Sequence, residues 1–248
     1  MRKIVILLLL VSTGVWSQAA FEEGNKFYEK ENYAAAISSY ESVLASGKQS
    51  SDLYFNLANS YYKLHKVAPA IYNYEKALLL SPNDAEIKTN LEFARKMAID
   101  DIKVIPKVGF NKLIIDFTSK YHYDTWAWIA IASAFLFLVF FIGYYFSVKT
   151  ILKRIFFIGM FVWLLGIFLS AASGFYEKGR IQNERPAIVF AENAPLKSEP
   201  KATAQEATLL HEGTKVYILE SIANWKKVEL TDETTGWMED NTIREIKN

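Results

Sequence analysis

A self-similarity with a 34-residue period restricts this chain more than any other feature. Shifted by 34 positions, Gly24, Phe27, Ala36 and Tyr40 fall on Ala58, Tyr61, Ala70 and Tyr74, and Val43 falls on Ala77. Each unit reads as a pair of helices: the small residues let the helices approach closely, and the aromatics fill the gap between them. Pro82, after Leu78–Leu80, ends the second unit, because proline cannot continue a helix. Residues 83–98 open a third unit, with Leu91 at the position of Leu57, and serve as its solvating cap. Stacked arrays generally need three or more units to bury a continuous core. Two and a half units therefore predict that this array packs against something else or takes up a partner's helices.

The period and the five matched positions resemble a tetratricopeptide array over about residues 18–81. In such arrays the first helices of successive pairs line a concave groove. Asn25 and Asn59 share one repeat position there, and Asn56 and Asn90 share another. An asparagine amide offers a donor and an acceptor, which suits the backbone of an extended peptide. Phe21, Phe55, Tyr28 and Tyr62 stand beside them as apolar and amphipathic contact surface. Tetratricopeptide domains that clamp a C-terminal carboxylate place lysine and arginine at neighbouring groove positions. Phe21, Glu86 and Asn90 occupy those positions here, which argues against a strict carboxylate clamp. The plainer reading, asparagines as solvated helix positions or local caps, stays open at this point.

The remaining apolar excess of the chain is concentrated in three runs. Arg2 and Lys3, the run Ile4–Val15, and the small or polar Ser17 and Ala19 have the layout of an export signal, taken as residues 1–19. Residues 125–147 and 155–176 carry no charge and are each long enough to span a bilayer at about 1.5 Å per helical residue. Trp126, Trp128, Tyr144 and Tyr145 lie toward the ends of the first run, where an aromatic belt is expected. The short connection 148–154 forces an antiparallel hairpin, and its Lys149, Lys153 and Arg154 favour the cytoplasmic side. Spans without ionisable residues speak against a proton relay or ion pathway. Gly143, Gly159, Gly166 and Ser170–Gly174 permit close packing of the two helices. Within the linker 99–124, Phe110, Leu113, Ile114 and Phe117 follow helical spacing with Lys112 and Asp116 opposite, which predicts an interfacial helix. Pro106 and Gly109 mark its joint with the repeats in residues 20–98.

After the second linker, 177–186, short β-rich runs separated by turn residues predict a small barrel over 187–248. Gly213, the strand "KVYILES", Trp225 and Gly236–Trp237 resemble the bacterial SH3-like domain. Its usual R-S-G-P signature is replaced by Lys197-Ser198-Glu199-Pro200. Trp225 and Trp237 are either a ligand-stacking surface or the plug of the barrel. The predicted fold class is thus multidomain: all-α repeats, a two-helix transmembrane hairpin and a C-terminal small β-barrel.

Catalytic motifs are missing from this pattern. The absence of cysteine removes cysteine nucleophiles, disulfides and thiolate metal sites. Gly47-Lys48 lacks the context of a phosphate loop, and His65, His122 and His211 stand singly, each read as a surface residue. Asp100-Asp101 and Glu22-Glu23 read as ordinary solvated acids. No enzyme activity, cofactor or metal is expected, and a net charge of +1 argues against nucleic acid as a partner. The order of signal, repeat pair, hairpin and "LHEGTKVYILES…NWKKVEL…GWM" resembles the BatE-type family of the Bacteroides aerotolerance operon. That resemblance implies a two-pass inner-membrane protein alongside von Willebrand factor A-type membrane proteins and an associated AAA+ ATPase, linked to oxygen or stress tolerance. The expectation is a periplasmic scaffold that binds protein or peptide partners; the alternative is a peptidoglycan-binding tether acting through the barrel.

Overall fold

The computed structural model describes residues 18–102 and 109–247. Residues 1–17 of the segment read as an export signal, and Pro106 of the joint, lie outside them, whereas residues 18 and 19 open the first helix. The chain divides into two compact units. Residues up to Pro106 combine with Arg185 onward in one, and Lys107–Glu184 form the other.

In the first unit, α1 (residues 18–29), α2 (Tyr33–Ala45), α3 (Ser51–Lys63), α4 (Val67–Leu80) and α5 (Ala85–Arg95) form two helix pairs and a fifth helix. The repeat is visible in detail. Ala36, Tyr40, Ala58, Ala70, Tyr74 and Ala77 are all buried, as are Leu57 and Leu91. Glu31 and His65, also 34 apart, both take positive φ at the intra-pair turn. In each turn the two amides hydrogen-bond back in the same way, Glu31 and Asn32 to Tyr28 and Phe27, His65 and Lys66 to Tyr62 and Tyr61. Side-chain oxygens of Asn32, Ser50 and Asp84 cap three of the helices, satisfying amides that helix ends leave free.

The C-terminal part is a seven-stranded antiparallel sheet of β1 (Pro186–Val189), β2 (Asn193–Lys197), β3 (Glu206–His211), β4 (Lys215–Ile222), β5 (Trp225–Glu229), β6 (Thr235–Glu239) and β7 (Ile243–Glu245). Their order is β3-β2-β6-β5-β4-β1-β7, so the ladder is open, with β3 and β7 at its edges, and not the predicted closed barrel. Strand β7 has only three residues, and the next residue, Ile246, still donates its amide to the Pro186 carbonyl of β1 at 2.9 Å while its side chain joins the helical core.

Strand β1 joins the two parts. Side chains alternate across a strand, and here Ala187 and Val189 enter the sheet core while Ile188 joins Val67, Ala68, Ile71 and Tyr72 in the core of the array. Every residue of β1 is buried. The packing partner that the short array required is thus the chain's own sheet. Gly213 fits against it at φ +90°, and a Cβ there would lie 2.9 Å from Val67 Cγ1 and 3.0 Å from Ile71 Cδ1.

Buried charge reinforces the joint. Glu75 of α4 receives Arg95 of α5 at 2.7 Å on one oxygen and Lys215 of β4 at 2.8 Å on the other. Asp100, expected to be solvated, instead accepts from the His211 amide at 2.7 Å and from the Thr214 hydroxyl at 2.5 Å, with the His211 ring nitrogen 2.7 Å away. His211 is correspondingly half-buried, not a free surface residue. Arg185 forms a two-pronged pair with Glu245 at 2.8 and 2.9 Å. Burial by itself would raise both the Glu75 and Asp100 carboxyls. The Lys215 and Arg95 charges outweigh it at Glu75, and the hydrogen bonds from Thr214 and His211 outweigh it at Asp100, so both lie below the usual range.

The second unit contains α6 (Phe110–Thr118), α7 (Tyr123–Phe146) and α8 (Thr150–Asn183). Both α7 and α8 are long and apolar enough to cross a membrane, and most of their large apolar side chains face outward. Only residues 147–149 separate them; Thr150–Arg154, read as loop from the sequence, is already helical. The pair is antiparallel and interlocked: the Phe156 ring lies over Gly143 and the Phe140 ring over Gly159, where an added Cβ would clash with the ring in each case. Trp126, read as a belt residue, is instead buried, its indole N–H donating to the Thr118 carbonyl at 2.8 Å at the end of α6. Phe110, Leu113 and Phe117 are exposed on α6, as an interfacial helix requires, whereas Ile114 is half-buried.

Two outcomes test this joint. Ile188→Ala should cost about 2–5 kcal/mol, and helical circular dichroism and tryptophan fluorescence should still melt together; melting of the sheet alone would contradict a shared core. Acid should also loosen it. Carboxyls held low in the fold stabilise it fully above the unfolded value of about 4 and lose that contribution as pH falls through their depressed folded values. Asp100→Asn should therefore flatten the fall of melting temperature between about pH 4 and pH 2, measured by thermal denaturation.

Candidate peptide groove

The first helices of the array, α1, α3 and α5, share a groove of about 330 Å³ lined by Phe21, Asn25, Phe55 and Asn56, with Asp52 and Glu86 at its acidic edge. All eight candidate groove residues, Phe21, Asn25, Tyr28, Phe55, Asn56, Asn59, Tyr62 and Asn90, are partly exposed. None is lost in the core.

The four asparagines form a ladder that repeats with the sequence. Asn25 Oδ1 accepts from the Tyr40 hydroxyl at 2.7 Å and from Asn56 Nδ2 at 3.0 Å. One repeat on, Asn59 Oδ1 accepts from the Tyr74 hydroxyl at 2.5 Å and from Asn90 Nδ2 at 3.1 Å. Burial pushes the Tyr40 hydroxyl up to about 12 and raises that of Tyr74 as well, so both remain donors at neutral pH. Phe21 packs on Tyr40 with ring centroids 5.8 Å apart, and Phe55 on Tyr74 at 6.0 Å. Tyr28 stacks edge-on against Tyr33 at 5.3 Å.

These asparagines are therefore neither idle surface residues nor caps. In each rung one amide carbonyl is saturated from within. The bonds of each rung leave the Nδ2 of Asn25 or Asn59 and the Oδ1 of Asn56 or Asn90 without a further partner among the described residues. Each rung thus keeps one donor and one acceptor, which is what a single peptide group needs.

The two tryptophans of the sheet are not brought together. Trp237 is buried in β6, and Trp225 is partly exposed with the Lys197 ammonium 5.9 Å from its ring centre. No ring contact joins them among the described residues.

Residues 51–84 match the tetratricopeptide repeat family model. The matched segment contains the whole of the α3–α4 pair, and with it Asn56, Asn59, Tyr62 and Tyr74. The tetratricopeptide repeat is a non-catalytic interaction motif. No curated protein sequence matches the chain.

Sequence reasoning missed the acids of the joint. Asp100 meets its partners more than a hundred residues away and left no local sign. Glu75 did leave one. Glu41 and Glu75 share a repeat position, as do Tyr61 and Arg95, and the Tyr61–Glu41 hydrogen bond at 2.5 Å is the first-repeat counterpart of Arg95–Glu75. The ladder gives its own test: Tyr74→Phe removes one donor to Asn59 and should cost about 1 kcal/mol in chemical denaturation while preserving the helical spectrum.

Proposed function

We propose that this chain is a non-enzymatic scaffold that binds an extended peptide of a protein partner along the asparagine ladder. The observation that carries the reading is the periodic, partly exposed row of amide groups, each rung with a donor and an acceptor still available. An extended chain would place successive peptide groups against the two rungs, with its side chains against Phe21, Phe55, Tyr28 and Tyr62. The shortage of cations in the groove favours backbone recognition over capture of a C-terminal carboxylate.

In this reading α7 and α8 anchor the scaffold in the bacterial inner membrane, with α6 at the lipid surface. Both helices have the length and outward apolar surface that lipid requires. Repeats and sheet would be exported to the periplasm, in an aerotolerance or envelope-stress complex with von Willebrand factor A-type membrane proteins. Tethering beside the membrane would raise the effective concentration of the groove for a membrane-bound partner.

Replacing Tyr62 with a photoreactive residue and irradiating intact membranes should trap a protein partner, with trapping weakened at least fivefold by Asn56→Ala combined with Asn90→Ala. If the partner is instead trapped equally well from Trp225, or the full chain is retained by purified cell wall with the groove mutated, the groove reading fails and the cell-wall tether replaces it.

A further inference from the structure

A second cavity, of about 520 Å³, opens on another part of the array, where α2, α3 and α4 meet Phe190, which follows β1, and Arg244 of β7. Its size falls within the range of small-molecule sites. Three observations give it chemical character. The Lys76 ammonium lies 5.4 Å from the centre of the Tyr54 ring and 5.3 Å from that of Tyr72. The Arg244 guanidinium lies 4.2 Å from the centre of Phe190 and 5.7 Å from that of Tyr72. Tyr72 and Phe190 are themselves in edge contact at 5.5 Å, so the rings that hold the two cations form one aromatic wall.

Neither cation has a carboxylate within ion-pair distance among the described residues. This contrasts with the rest of the joint, where Arg95 and Lys215 share Glu75, and Arg185 holds Glu245. The one acid on the cavity lining, Glu41, accepts the Tyr61 hydroxyl at 2.5 Å. Aromatic faces attract the cations and hold them in place, but they do not neutralise them. Burial, followed by the neighbouring Arg244 charge, lowers the Lys76 ammonium below its usual range, as expected of two cations without a counter-ion. An anion between them would relieve that repulsion, and guanidinium suits the paired oxygens of phosphate or carboxylate.

We propose that this cavity binds a small polyvalent anion of the phosphate or carboxylate class, held by Lys76 and Arg244 against the wall of Tyr54, Tyr72 and Phe190. The site is separate from the asparagine ladder and does not depend on the peptide-binding reading. Calorimetric titration of the detergent-solubilised full chain, at constant ionic strength, with pyrophosphate in one arm and citrate in the other tests it. Saturable binding of at least one probe is expected, weakened tenfold or more in both Lys76→Gln and Arg244→Gln. The responding arm assigns the ligand to the phosphate or the carboxylate class. Lys76→Arg should retain binding within threefold, which separates lost charge from lost folding. Absence of saturable binding by either probe, or binding unchanged in a folded Arg244→Gln, would overturn the proposal.

Discussion

The structure depends on one burial problem: a stack of two and a half helix pairs cannot close its own core. The apolar face of α4 needs a cover, and strand β1 supplies it by placing Ile188 in the helical cluster and Ala187 and Val189 in the sheet cluster. A four-residue strand buried on both faces makes two cores interdependent, since each side chain that leaves one enters the other. The acids follow from this arrangement. Glu75 is tolerated inside only because Arg95 and Lys215 both reach it, and Lys215 comes from the sheet. A buried carboxylate with one partner removed would be far more costly than the intact cluster.

A shared core also constrains the path of the chain. Repeats and sheet that pack together must lie on the same side of any membrane crossed between them. The intervening chain must then cross an even number of times, and α7 and α8 are two helices with the necessary length. Their three-residue connection and the reciprocal seating of Phe140 on Gly159 and Phe156 on Gly143 make them a closed antiparallel pair. Packing of this kind needs small residues at the contact, which Gly143 and Gly159 supply. Trp126 shows a different use of an aromatic near a helix end: it fastens α6 through the Thr118 carbonyl instead of facing outward.

Much of this was legible in the sequence because helical repeats announce themselves locally. The 34-residue offset located the helix pairs and the asparagine positions, since each depends on neighbours within one repeat or the next. The sheet was legible as strands and turns, but not as a ladder. Which strands become neighbours is set by pairings such as β2 with β6 and β1 with β7, between segments far apart in the sequence. The same limit hid Asp100, which has the look of a solvated acid until His211 and Thr214 close around it. The asparagines sit between these cases. Their spacing was visible, but the fact that each rung consumes one carbonyl internally required Tyr40 and Tyr74 to be placed.

Helix α4 connects these levels through two consecutive residues. Tyr74 reaches across to Asn59 and fixes a rung of the ladder, while Glu75 reaches Lys215 and fixes the sheet. Rotation of α4 would break both, so the position of the groove amides is tied to the integrity of the joint. In the proposed peptide-binding reading, that coupling gives the C-terminal sheet a purpose beyond covering apolar surface. Amides held in register before a peptide arrives lose less conformational freedom on binding than amides on a mobile helix. An array of only two and a half repeats, left alone, would have little to hold them so. By this reasoning the sheet stands in for the missing repeats, lending the groove the rigidity that a longer solenoid would draw from its own stack.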